Sequence, residues 1–288
     1  MLITFALLGA SIASVWLPSW PLGQRVTIAP WAVLYVAATL AGQASGVLAW
    51  PAVVALSALA ALCLGARHHV GHRGAWAWTL AAGAMSLALA LHALPGFHNP
   101  KVLDAVRTSP QATAFTLYAN FDKASAGLFL LVFFAPRLHS PGAWRALVRP
   151  TLLAFSVASA ITLGAAWATG HVQPDVKVPA FAAGFLAINL LFTCVAEEAF
   201  FRGWLQERLT RVLASRARMA WMPALVSAAL FALAHAGGGP LYTALVGMAG
   251  LAYAWAYAQT RRIEAAILTH FLVNATHFLL FTYPMRSV

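Results

Sequence analysis

The chain has 288 residues, of which 61% are hydrophobic and only 9% charged, and its mean hydropathy is +0.77. A soluble domain carries roughly 25% charged residues, so this composition excludes a water-soluble core and indicates an all-α polytopic bundle of about 8–10 transmembrane helices. The net charge of +11 then belongs to cytoplasmic loops and anionic lipid, not to nucleic acid.

A span needs about 20 mostly apolar residues. The first expected span, 2–19, lies in "MLITFALLGASIASVWLPSW", which lacks a basic n-region and reads as a membrane helix rather than a cleaved signal peptide. Nine more are expected at 28–48, 50–66, 75–94, 115–136, 151–170, 179–206, 222–236, 240–260 and 264–283. Only "AWP" divides the second from the third, as in a tight hairpin. The longest loop is about 94–114. The basic, partly apolar "RLTRVLASRARMAW" at 208–221 is expected to lie as a helix on the cytoplasmic surface. Trp16, Trp20, Trp50, Trp76, Trp144, Trp204 and Trp221 fall near expected ends, as an interfacial belt requires.

Charge sets the orientation. Alternate loops hold Arg25; Arg67 and Arg73; Arg137, Arg145 and Arg149; Arg208, Arg211, Arg216 and Arg218; Arg261 and Arg262. The opposite loops hold Lys101, Arg107, Lys123, Lys177 and Arg286. The richer side should be cytoplasmic, which puts both termini outside. No linker or repeat divides the chain. Residues 1–150 read as N-terminal transmembrane helices of unassigned role, and 151–288 as the functional core.

"CVAEEAFFRG", residues 194–203, breaks the apolar pattern. A charge at mid-membrane costs roughly 2.5–3.5 kcal/mol, yet Glu197, Glu198 and Arg202 follow fourteen uncharged residues. Glu198 and Arg202 are i, i+4 and can pair on one helix face. Glu197 points about 100° away and has no local partner, so it suits a general base. "FALAH" sets Phe231 and His235 four apart, and "HFLVNATH" does the same for His270 and Asn274, with His277 further along. Measured from Arg208, Pro223 and Arg262, helix rise puts Glu197, His235 and His270 roughly 16, 18 and 12 Å deep, in one layer of the bilayer. The turn "HAGGGP" stops its helix inside that layer and is expected to border the site.

These residues carry a resemblance. "EEAFFR", "FALAH" and "HFLVN" are similar, in order, to the EExxxR, FxxxH and HxxxN motifs of the CPBP family. Those intramembrane endopeptidases include the CAAX prenyl proteases and bacteriocin-processing proteins. The resemblance covers about residues 180–280 and makes 151–288 the CPBP-like catalytic core. It implies a glutamate-type hydrolase without metal or cofactor. Glu197, helped by His235, would activate water; His270 and Asn274 would stabilise the oxyanion; Glu198 and Arg202 would support the glutamate helix. The implied partners are a peptide or membrane-protein substrate and the lipid bilayer, with no nucleic acid. A composition rich in Ala, Leu, Trp and Arg suggests a GC-rich bacterial genome and hence the inner (plasma) membrane.

Blander and rival readings stand beside this one. His235 alone is a core histidine bonded to a carbonyl, Asn274 a packing amide, and His277 structural or interfacial. Cys63 and Cys194 sit in apolar runs and give no disulfide framework. Cys194 as a thiol nucleophile is disfavoured by the neighbouring carboxylates. Asp122 and Lys123, in "LYANFDKASAGL", read as an interfacial pair at a helix start or as a gate or substrate contact. His68, His69 and His72 look like a metal tract but lie among arginines, as in an ordinary loop. The rival functions are a zinc-dependent membrane protease using His235, His270 and Glu197, which lacks HExxH; a non-catalytic membrane binding or immunity protein on the same fold; and a transporter, for which no repeated half is visible.

Overall fold

A computed structural model describes residues 1–22, 26–72, 74–138 and 140–287. Arg25 and Arg73, used above for orientation, lie outside the described residues. Ten helices are described: α1 Leu2–Ala13, α2 Pro30–Ala44, α3 Trp50–His68, α4 Ala75–Ala90, α5 Phe121–Phe133, α6 Pro141–Ala168, α7 Ala182–Val212, α8 Met222–Ala234, α9 Pro240–Thr260 and α10 Ile263–Leu280. Proline opens α2, α3, α6, α8 and α9 in the first turn, where its missing N–H costs nothing.

Each of the ten expected spans overlaps one of these helices, though Trp50–His68, Pro141–Ala168, Ala182–Val212 and Ile263–Leu280 run beyond the expected bounds. By length and hydropathy, six segments among the described residues reach membrane-crossing size: Trp50–His68, Gly142–Ala168, Ala182–Val212, Ala217–Ala234, Pro240–Thr260 and Ile263–Leu280. Leu2–Trp16 and Ala75–Ala90 are shorter apolar helices, and α2 and α5 have 15 and 13 residues. The shortfall has a cause: turns and short stretches of extended chain take up the ends of the expected spans. Strands β1 Trp20–Leu22 and β2 Val26–Ile28 pair antiparallel between α1 and α2. Strands β3 Lys101–Val106, in the expected loop, and β4 Phe115–Tyr118, at the start of the fifth expected span, form a second ribbon. The surface helix expected at 208–221 is also absent. Helix α7 ends at Val212, and turns at Leu213–Arg216 and Arg216–Met219 lead to α8. Pro223 stands in the first turn of α8, where its missing N–H is tolerated and a new helix begins.

The chain divides into two compact units that do not follow chain order. Unit 1 comprises Met1–Lys101, Tyr118–Phe134 and Leu191–Phe200. Its core is aromatic: Phe5 meets Phe121 and Phe192, while Tyr35 and Trp31 pack on Phe129. Unit 2 comprises Val102–Leu117, Ala135–Leu190 and Phe201–Val288. In it α6, α9 and α10 pack together through Leu147, Ala154, Ala256 and Ala265. The other face of α6 exposes Val148, Leu152, Val157 and Ile161, an apolar stripe suited to lipid chains. Trp20, Trp50, Trp76, Trp144 and Trp221 are exposed, as belt residues should be.

Candidate active site

Helix α7 carries the acidic motif in unusual backbone. Asn189–Cys194 and Ala199–Gln206 are π-wound and flank a single α turn, Val195–Glu198. π segments are rare and recur at functional sites. Glu197 and Glu198 belong to unit 1, whereas Arg202, His235, His270 and Asn274 belong to unit 2.

In unit 1, Glu198 is fully buried and Glu197 nearly so. The sequence reading left Glu197 without a partner. The structure supplies one 74 residues away: Lys123 Nζ donates to Glu197 Oε1 at 2.7 Å. Such a contact is invisible to helix spacing. Asp122 and Lys123 are not an ion pair with one another. The buried Asp122 accepts from His92 Nδ1 at 2.7 Å and Asn99 Nδ2 at 3.0 Å. Its Oδ1 also takes the backbone N–H of Lys123, and Asn99 Oδ1 takes that of Phe121. These bonds satisfy N–H groups that the start of α5 leaves open. Cys194 is fully buried and packs as a core residue. The 68–72 histidine tract is local packing: His69 stacks on Trp78 and its Nδ1 bonds the Gly65 carbonyl.

In unit 2, Phe231 of the second motif is a hub. The Arg202 guanidinium lies 4.7 Å from its ring centre, His235 is 4.7 Å away, and His270 meets it edge-on at 5.8 Å. Tyr253 of α9 closes the group, stacked on His270 at 4.5 Å and 5.5 Å from the Arg202 guanidinium. Arg202 is fully buried and donates to the Gly250 carbonyl at 2.8 Å. Gly250 makes that approach possible, because a Cβ there would meet Phe231 at 2.9 Å. The structure therefore gathers Arg202, His235 and His270 from three helices around Phe231 and Tyr253.

His235 caps α8, and its Nδ1 donates to the Phe231 carbonyl at 2.8 Å. That is the bond of an ordinary core histidine, and it also sets the tautomer. In the neutral ring the lone pair is then on Nε2, the nitrogen able to accept a proton. The chain turns at once through Ala236–Gly238, and Gly239 has φ +90, a conformation that favours glycine. The "HAGGGP" turn is therefore present, with α9 beginning at Pro240. Asn274 Nδ2 lies 3.3 Å from Asn189 Oδ1. Asn189 was missed in the sequence, although a lone amide in "AFAAGFLAINLLFT" was a visible signal. His277 faces the chain end instead, 3.3 Å from the Thr282 carbonyl and against Tyr283. Nearby, outside the spans, burial lowers the Lys177 ammonium below its usual range against the pull of Asp175.

Residues 179–276 match the family model described as type II CAAX prenyl endopeptidase Rce1-like. This segment is similar to the Rce1-like family. It covers about a third of the chain and contains Glu197, Glu198, Arg202, His235, His270 and Asn274. No curated protein and no solved structure matches the chain. The Rce1-like family is a protease family and bears out the CPBP/CAAX resemblance. With six apolar helices of membrane-crossing length, the chain is an integral membrane protein. Neither Lys123 nor its clasp of Asp122, Asn99 and His92 falls within the Rce1-like segment.

Proposed function

We propose that the chain is an intramembrane endopeptidase that hydrolyses peptide bonds of membrane-associated substrates, with water activated by Glu197 and His235. One observation carries this reading: every proposed reacting group lies inside the segment that matches an endopeptidase family. Glu197 takes a proton from water as the oxygen attacks the peptide carbonyl, and that proton passes to the leaving amine as the C–N bond breaks. His235 assists through Nε2. His270 and Asn274 donate to the oxyanion, and donors of this kind are typically worth roughly 3 kcal/mol each. Glu198 and Arg202 hold the glutamate helix. The core is 151–288, in a bacterial inner membrane, with the arginine-rich loops cytoplasmic. The substrate is a processed peptide or a protein terminus.

The test is a comparison of membrane-fraction peptides from cells with and without the protein. A defined set of new termini that depends on Glu197 is expected, and identical peptide sets would favour the non-catalytic reading. A zinc enzyme would bind metal stoichiometrically. Purified active protein is expected to survive chelation, whereas loss of activity on chelation and recovery with zinc would favour His235, His270 and Glu197 as ligands.

A further inference from the structure

Lys123 reaches the candidate base from a part of the chain that no motif marks. Two independent features fix it there. The first is a close approach of backbones. A Cβ on Gly127 would stand 2.5 Å from Ala196 Cα and 2.7 Å from Ala196 Cβ, so α5 touches the Val195–Glu198 turn at this glycine. Lys123 is four residues before Gly127 and shares its helix face, which aims it at the residue after Ala196. The second is the clasp at the start of α5. Asp122, 1% exposed, binds His92, Asn99 and the Lys123 N–H, and Asn99 binds the Phe121 N–H. The first turn of α5 is thereby fixed in rotation and height.

A charge-assisted bond of 2.7 Å between side chains 21% and 12% exposed is both strong and directional. We propose that Lys123 is a positioning residue of the candidate active site, its ammonium holding Glu197 through one carboxylate oxygen in the orientation and ionised form a general base needs. The inference rests on the reading of Glu197 as the base. Lys123 takes no part in proton transfer. Asp122, Asn99 and His92 act one step further out, by fixing where Lys123 stands. The N-terminal helices thus contribute a residue to the site.

The experiment uses the full chain, purified in detergent, as wild type, Lys123→Met, Lys123→Arg and Glu197→Gln. At neutral pH, infrared difference spectra of each protein against its counterpart carrying Glu197→Gln read the protonated carboxyl band of Glu197. Lys123→Met should show that band, and wild type and Lys123→Arg should lack it. With a cleaved substrate, Lys123→Met should lower kcat about 10- to 100-fold, the range of a misplaced catalytic group, with KM changed less than about twofold. Lys123→Arg should restore most of the loss. An ionised Glu197 in Lys123→Met, or an unchanged kcat beside an inactive Glu197→Gln, overturns the inference. If Lys123→Met does not fold, labelling of Lys123 by an amine-reactive ester decides. Labelling should speed several-fold in Glu197→Gln, and equal rates overturn the pairing. If Glu197→Gln cleaves normally, the reading of Glu197 as the base falls, while the infrared and labelling results still decide whether Lys123 governs Glu197.

Discussion

Gly127→Ala should uncouple α5 from the turn that carries Glu197. The added methyl would sit 2.5 Å from Ala196 Cα and 3.1 Å from Ala196 N, against ordinary contacts of 3.4–4 Å. The obstacle is backbone, which cannot rotate away, so the two segments must part by about 1 Å. Overpacking of this kind costs about 1–3 kcal/mol, and the better helix propensity of alanine returns about 1 kcal/mol. The Lys123–Glu197 contact, now 2.7 Å, would stretch past hydrogen-bonding range. A displacement near 1 Å at a catalytic group costs about 10²-fold in rate. The assay is thermal melting of purified protein in detergent, with ester labelling of Lys123 and cleavage measured on the same preparations. Gly127→Ala should melt lower, label faster at Lys123 and cleave more slowly. Gly164→Ala, where a new Cβ meets nothing within 4 Å, should do none of these. A Gly127→Ala protein that melts at or above wild type and labels at the wild-type rate would refute the close-approach argument.

Arg202→Met should remove the donor to the Gly250 carbonyl and the cation over Phe231 and Tyr253. A hydrogen bond from a charged group is worth about 1.5–3 kcal/mol, so yield and melting temperature should fall, with unchanged melting as the refuting result. Cys194→Ala should leave turnover nearly unaltered, and its inactivation would revive a thiol mechanism. Cysteines introduced beside Arg145 and Arg107 should label from opposite sides of the membrane, and labelling from one side would refute the proposed orientation.

The helices were legible because apolar length is a local property. The three motifs were legible because charge inside an apolar run is conspicuous. What the sequence concealed is mostly long-range. The Lys123–Glu197 and Asp122–His92 contacts join residues 74 and 30 apart, and no helical period encodes them. The gathering of Arg202, His235 and His270 was foreshadowed by depth, but Phe231 and Tyr253 as its packing centre were not. The ribbons at 20–28 and 101–118 were hidden by treating every apolar stretch as helix or loop. The basic run 208–221 misled because amphipathic charge spacing does not fix where a helix ends.

Glu197→Gln tests the central claim most directly, since it keeps the size of the side chain and removes the base. The measurement is cleavage of a native substrate, with melting of the same protein as a control for folding. The expected result is near-normal melting and a loss of cleavage of about 10²-fold or more, the scale of a general base. Full activity in a folded Glu197→Gln protein would contradict the account.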